Sequence, residues 1–384
     1  MRLGIIGYGG RIKDIAQKME KLDYNCKIVA ITDIRNDEIR RELSTEGVNR
    51  EIAFYEDAND MLSNSEIDGV CIGTRCSLHA KMAIKVIPRG IPLWLEKPVA
   101  TNMNDLRMLY NTYNQHSQAH GKVVVSFPLR VTPLLQLVKE IIDSGKIGTV
   151  EHVQAVNNVP YGGVYFHDWY RDENETGGLF LQKATHDLDY INYVLGSKPV
   201  RICAMVSKQI FKGDRPAGLM CRDCGEQETC PESPENQLNA LNDITGDFCS
   251  FAEDTGNEDS GSTLIEYETG MHVVYSQNFF ARKGAAARGA KFFGYKGTVE
   301  FDWCTDEVKV HMHNIPRVES YKLGVSRASH GGGDEVLMKN FLDMMKGKGV
   351  PSVAPMEAGF LSALMCLKAR ESAKTKTFQD VVWE

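Results

Sequence analysis

Residues 2–6 are nearly all apolar and run directly into Gly7-Tyr8-Gly9-Gly10, after which apolar positions recur at helical spacing from about Ile12 to Lys21. A short apolar run bounded by glycines marks a strand buried on both faces, as in a parallel sheet. The same signature returns over 27–31, 52–55, 68–74, 92–95 and 122–127, with helical patterns over 57–63, 78–87 and about 102–118. Alternating strand and helix predicts a parallel sheet with right-handed crossovers. Ligands of such sheets bind beyond the carboxyl ends of the strands.

The texture changes near Thr149. Strand-like runs follow over 150–156, 200–211, 262–267, 271–280, 291–294, 298–303 and 308–313. Hairpin turns are marked at Glu268-Thr269-Gly270 and Tyr295-Lys296-Gly297. These predict a large, mostly antiparallel sheet, with one face covered and the other open to a second subunit. Helical patterns over 133–144, 334–345 and 356–368 complete the chain. The fold class expected is α/β: a Rossmann-type domain over 1–126, then an α+β domain over 127–384 with a cysteine-rich insert at about 212–260.

Composition narrows the function more than the fold. At 384 residues the chain can hold two cores. Its formal net charge of −7 argues against nucleic acid or an anionic membrane surface as the main partner. No apolar run approaches the ~20 residues needed to span a bilayer. Met1 leads into a strand pattern rather than a signal peptide, so a cytoplasmic protein is expected. Most of the ten cysteines are scattered one per element, which suits a reducing compartment. The exceptions are Cys221, Cys224 and Cys230, with Cys249 further on. The C-x2-C spacing and four thiolates would suit a closed, structural zinc site. Free thiols in a solvated loop, or a redox-labile disulfide, fit the same spacing.

Chemistry concentrates at the predicted strand ends. Gly7 and Gly9 provide the tight turn and close approach that a pyrophosphate needs at a helix start, although Ile12 stands where a third small residue is usual. Asp33 lies at the right distance to bond a ribose 2′-hydroxyl, which favours NAD over NADP; Arg35 beside it would accommodate a 2′-phosphate. Pro92-Leu93-Trp94-Leu95-Glu96-Lys97-Pro98 brings a buried strand to an ion pair and a proline, which restricts Lys97 to a defined turn and admits a cis bond. A surface Glu–Lys pair would look the same. Gly7, Asp33, Thr74 and Lys97 thus converge on one crevice.

A second polar cluster follows Trp169-Tyr170-Arg171 and Gly177-Gly178. Read as a helix, 179–190 places Gln182, His186 and Asp189 on one stripe with Lys183 and Tyr190 beside it. Burial beside a lysine would keep His186 neutral and able to accept a proton. His311 and His313 face one side of a strand, either as a metal pair or as a solvated face. His330 sits in a glycine run able to fold over a ligand.

These residues, in this order, resemble the glucose-fructose oxidoreductase / inositol dehydrogenase (Gfo/Idh/MocA) family. The match runs through Gly7-Tyr8-Gly9-Gly10, Asp33, Thr74 with His79, and Glu96-Lys97-Pro98. It continues through Arg130, Pro133, the segment 144–148, Gly177-Gly178, and His186 with Asp189. The resemblance implies a Rossmann domain followed by an open-faced sheet through which dimers or tetramers form. It implies NAD held by Gly7, Gly9, Gly10, Arg11, Asp33, Thr74, His79, Glu96 and Lys97. It also implies hydride transfer to or from a ring carbon of a sugar or cyclitol, with Lys97 on the reacting hydroxyl and His186 exchanging its proton. Arg130, Trp169, Tyr170, Lys183 and Asp189 would line the substrate, the aromatic pair stacking on the ring. Many members carry Asp where this chain has Gln182, so Lys183 or Asp189 would replace it, or Lys97 would act alone. Two other readings share this pattern: a glycosidase that recycles tightly held NAD through a keto-sugar, and a non-catalytic sugar or nucleotide sensor.

Overall fold

A computed structural model describes residues 1–47, 51–234, 236, 246–324 and 329–383. The chain forms two compact units, one from Met1–Val131 with Gly332–Ala363, the other from Thr132–Gly331 with Leu364–Glu384.

Among the described residues, the first unit holds a six-stranded sheet: β1 (Arg2–Ile6), β2 (Lys27–Thr32), β3 (Ala53–Tyr55), β4 (Gly69–Ile72), β5 (Leu93–Leu95) and β6 (Val123–Val125). All pairings are parallel, in the order β3-β2-β1-β4-β5-β6. The order reverses between β1 and β4, the switch point where such sheets open a crevice. Strands β4, β5 and β6 are buried throughout, as their uninterrupted apolar runs require. The helix Asn36–Thr45 was not expected from the sequence. Its apolar signal is only Ile39 and Leu43 among charged residues, and it begins inside what reads as a polar turn.

The glycine turn explains its own irregularity. Gly7 has φ +83°, and a Cβ there would lie 2.7 Å from the Thr74 backbone nitrogen. Only glycine fits. Ile12 occupies the position where a small residue normally lets helix and strand approach. Here the small partner is on the strand side: a Cβ on Gly73 would fall 1.9 Å from Ile12 Cγ1. The close packing is kept and the glycine has changed sides.

The second unit is built on a nine-stranded sheet among the described residues: β7 (Val150–Asn158), β8 (Pro199–Ser207), β9 (Ser260–Tyr267), β10 (His272–Asn278), β11 (Ala287–Gly294), β12 (Gly297–Asp302), β13 (Glu307–Met312), β14 (Val318–Lys322) and β15 (Gln379–Asp380). The order is β14-β13-β12-β11-β7-β10-β9-β8-β15, antiparallel except for β7 with β10. The two edge strands escaped the sequence reading: β14 is polar and buries no residue, and β15 is two residues long. Val153, Ala155, Val273, Tyr275 and Phe292 are buried on one side of the sheet. Gln154, Ser276, Lys291 and Glu300 line an open groove on the other. Among the described residues no helix is long and apolar enough to cross a membrane.

Substituting Gly73→Ala should overpack the Ile12 contact and cost about 1–3 kcal/mol. The double variant I12A/G73A should be less destabilised than the sum of the two single changes, since the new methyl enters space the isoleucine vacates. Urea denaturation of the three variants checks this coupling.

Candidate functional site

In the first unit the strand ends are bound to one another through Asp33. Its carboxylate accepts the Tyr8 N–H at 2.7 Å and the Arg35 N–H at 2.9 Å, so it ties the glycine turn to the end of β2. Arg35 Nε lies 3.6 Å from the same carboxylate. The helix Gly10–Leu22 starts with no side-chain cap, leaving its first N–H groups to an anion from outside.

Arg11 serves the acids around it. Its guanidinium donates to both oxygens of Asp334, at 2.5 and 3.0 Å, and lies 3.5 Å from Glu96. Burial alone would lower its pKa, but Glu96 and Asp334 hold it above the usual arginine value. Glu96 is buried and also accepts the Trp94 indole N–H at 3.2 Å. Arg130 is buried and donates to the Val353 carbonyl at 3.3 Å.

His79 acts as a strut. Its Nδ1 lies 2.8 Å from the Pro98 carbonyl and its Nε2 3.2 Å from that of Thr74, so it links the ends of β4 and β5. Burial pushes its pKa below the ordinary histidine value, against the pull of Pro98, Glu96 and Thr74. The Lys97–Pro98 bond is cis, and Lys97 is partly exposed at the end of β5.

In the second unit the helix Leu179–Leu195 carries the polar cluster, and nearly every residue of it is buried, Gln182, Lys183, His186 and Asp189 included. At its start, beside Gly178, the Glu258 carboxylate accepts the Phe180 N–H. The helix start beside the paired glycines is therefore capped by the chain itself. His186 and His330 place their rings 6.4 Å apart, so the glycine run does bring His330 to this helix.

Asp187, Arg288 and Tyr161 are central to this cluster and had no role in the sequence reading. Asp187 is fully buried and accepts from Asn157 Nδ2 and Tyr275 Oη at 2.8 Å, and from Arg288 Nε at 2.9 Å. Arg288 Nη2 lies 2.8 Å from it as well. Lys183 donates to the Tyr161 hydroxyl at 2.9 Å, with its ammonium 4.7 and 4.8 Å from the ring centres of Tyr161 and Tyr165. Asp187 directly follows His186 in the sequence; its partners come from distant strands and left no local trace.

Trp169 and Tyr170 stack on each other, ring centres 3.8 Å apart, and Tyr170 meets Tyr165 edge-on. Each of the two rings thus covers one face of the other. His311 pairs with Glu300 and His313 with the Thr298 hydroxyl, so the two are not a metal pair.

Cys221, Cys224, Cys230 and Cys249 do converge, with His167, around one small pocket. None is in a disulfide. Yet among the described residues no group of three or more His, Cys, Asp or Glu is arranged to hold a metal ion, so no zinc site is evident among them. Cys221 Sγ turns to the Phe248 carbonyl at 3.7 Å and to His167 Nδ1 at 3.9 Å. Burial and the neighbouring thiols push its pKa to about 12, and burial raises that of Cys249.

Comparison with known proteins agrees with this architecture. Residues 1–124 match the oxidoreductase family with an NAD-binding Rossmann fold, and residues 135–300 match the Gfo/Idh/MocA C-terminal domain. The chain belongs to the Gfo/Idh/MocA family of oxidoreductases. It is 27% identical over 335 residues to the Bacillus subtilis oxidoreductase YteT, covering 77% of this chain and 76% of that one. It is 26% identical over 217 residues to the myo-inositol 2-dehydrogenase of Thermotoga maritima, where the match covers 55% of this chain and 61% of that enzyme. A levoglucosan dehydrogenase solved with NADH and levoglucosan superposes with a TM-score of 0.76, covering 99% of both chains at 18% identity, a likeness of fold alone.

Two outcomes follow from these contacts. Asp187→Ala should cost about 3–5 kcal/mol, because it strands the Arg288 charge in the interior; urea unfolding measures it. The lowered pKa of His79 sets a pH dependence. The unfolded chain takes up a proton as the pH falls through about 6.5 while the folded one does not, so stability present above that pH is lost as the folded pKa is approached. The urea midpoint should fall on acidification below about pH 6.5, and less steeply in His79→Gln.

Proposed function

We propose that this protein is an NAD-dependent dehydrogenase that oxidises or forms a ring hydroxyl of a sugar, sugar derivative or cyclitol. The observation that carries this is the gathering of Gly7, Asp33, Thr74 and Lys97 at the carboxyl edge of a parallel sheet, around its switch point. The residues there suit the dinucleotide: a turn that only glycine can make, an uncapped helix start for the pyrophosphate, and an acid for the ribose. Asp33 favours NAD over NADP, since it would repel a 2′-phosphate. NAD, when bound, supplies the hydride acceptor.

Lys97 donates a hydrogen bond to the reacting oxygen. As hydride leaves the carbinol carbon the hydroxyl must lose its proton, and by the resemblance His186 is the residue that would exchange it. The relatives named as inositol 2-dehydrogenases support this substrate class. The open face of the nine-stranded sheet is the surface through which copies of the chain associate.

Screening monosaccharides, inositols and glycosides for NADH formation tests the reading. A polyhydroxylated ring should support turnover, and Lys97→Ala should lower kcat by roughly 10²–10⁴-fold. Failure to bind NAD(H) at millimolar concentration, followed by tryptophan fluorescence, would refute it.

A further inference from the structure

Arg11, Glu96 and Asp334 meet at the carboxyl edge of the first sheet, and all three belong to the same compact unit. Arg11 is the second residue of the helix Gly10–Leu22, directly after the glycine turn. Its guanidinium donates to both oxygens of Asp334 at 2.5 and 3.0 Å, lies 3.5 Å from Glu96, and reaches Ser126 Oγ at 3.4 Å. Asp334, Glu96 and Ser126 are all buried. Asp334 comes from far along the chain, in the first turn of the helix Gly333–Met345, where a negative charge suits the helix N-terminus. Backbone packing fixes that helix start: a Cβ on Gly333 would lie 2.0 Å from the Pro128 carbonyl oxygen.

The strand order assigns this cluster to one half of the dinucleotide. Asp33, the acid for the adenosine ribose, follows β2, on one side of the switch point between β1 and β4. Glu96 follows β5 and Ser126 follows β6, on the other side. With the adenosine over the first mononucleotide half, the nicotinamide falls to the second. Its ring is a cation in the oxidised dinucleotide and neutral in the reduced one, while the pyrophosphate charge is the same in both. A fixed charge near the ring therefore distinguishes the two forms, most strongly where water is excluded. Arg11 and Lys97 bring positive charge to these strand ends, Glu96 and Asp334 bring negative charge, and the four cancel. Without Asp334 the positive charge would be in excess.

On the NAD-dependent reading of this site, we infer that Asp334 sets the balance between oxidised and reduced dinucleotide: by neutralising Arg11 it lets the cationic nicotinamide ring bind beside Lys97. Asp334 acts through Arg11 and is a positioning residue. Its two hydrogen bonds direct the guanidinium as well as offset its charge.

Dissociation constants for NAD+ and NADH, measured separately on the intact protein by tryptophan fluorescence, give the ratio that tests this. Asp334→Asn keeps the shape and removes the charge, and should weaken NAD+ by roughly 10-fold more than NADH. Arg11→Gln leaves negative charge in excess and should move the ratio the opposite way. The double variant R11Q/D334N removes the pair whole and should restore the wild-type ratio, whatever it does to the two affinities in common. A purely structural role moves both affinities together and leaves the ratio alone. That result in the single variants would overturn the inference, as would a double variant that keeps the shift of Asp334→Asn. Should Asp334→Asn fail to fold, Arg11→Gln and the double variant decide by the same ratio. A wild-type protein that binds neither form at millimolar concentration overturns the dinucleotide reading and the inference with it, whereas binding with an immovable ratio overturns the inference alone.

Discussion

The second unit depends on one buried carboxylate. A helix that is apolar on one stripe takes its rotation from that stripe, but Leu179–Leu195 is buried on nearly every side. Hydrophobic burial therefore leaves its rotation underdetermined. Asp187 removes the freedom, because its oxygens are satisfied only when Arg288, Asn157 and Tyr275 surround them. Those donors stand on three different strands, so a single side chain registers the helix against the middle of the sheet. Tyr190 adds a weaker tie, donating to the Gly289 carbonyl at 3.3 Å. The price of leaving any of these groups unpaired in the interior is what makes the arrangement specific. With Asp187 pinned, the direction in which Lys183 and His186 project is fixed too.

The first unit meets a similar need with backbone geometry. Its glycine turn is shaped by the Thr74 backbone, which excludes a side chain at position 7, and by the Asp33 carboxylate, which holds the Tyr8 N–H. His79 joins the ends of two strands through their carbonyls, and Arg11 balances the charges of Glu96 and Asp334. These residues hold the strand ends in place, so that Lys97 is presented from a firm support. Residues that resemble ligand contacts in sequence, Arg11 and His79 above all, are here occupied in holding the site's frame.

The cysteine insert shows how far spacing can be pressed. Cys221, Cys224, Cys230 and Cys249 were correctly read as partners in space. Whether thiols become ligands depends on the direction of each sulfur, and in this pocket Cys221 faces a carbonyl and an imidazole. Spacing along the chain does not carry that direction.

Much of this protein was legible in one dimension, because parallel strands are uninterrupted apolar runs, their ends are marked by glycine, acid and proline, and antiparallel hairpins announce their turns. All six strands of the first sheet and the main body of the second were readable for that reason, as were Gly7, Asp33 and Lys97 at the strand ends. What lay beyond reach were the polar edge strand β14, the helix Asn36–Thr45 with its two apolar anchors, and every interaction whose partners are far apart in sequence. Ile12 looked like a defect until Gly73 was placed against it. Asp187 looked like one more acid until Arg288, 101 residues away, was brought to it. Local pattern encodes burial and turn geometry, which each residue expresses for itself; complementary shape and paired charge belong to two residues at once, and only the folded chain brings the two together.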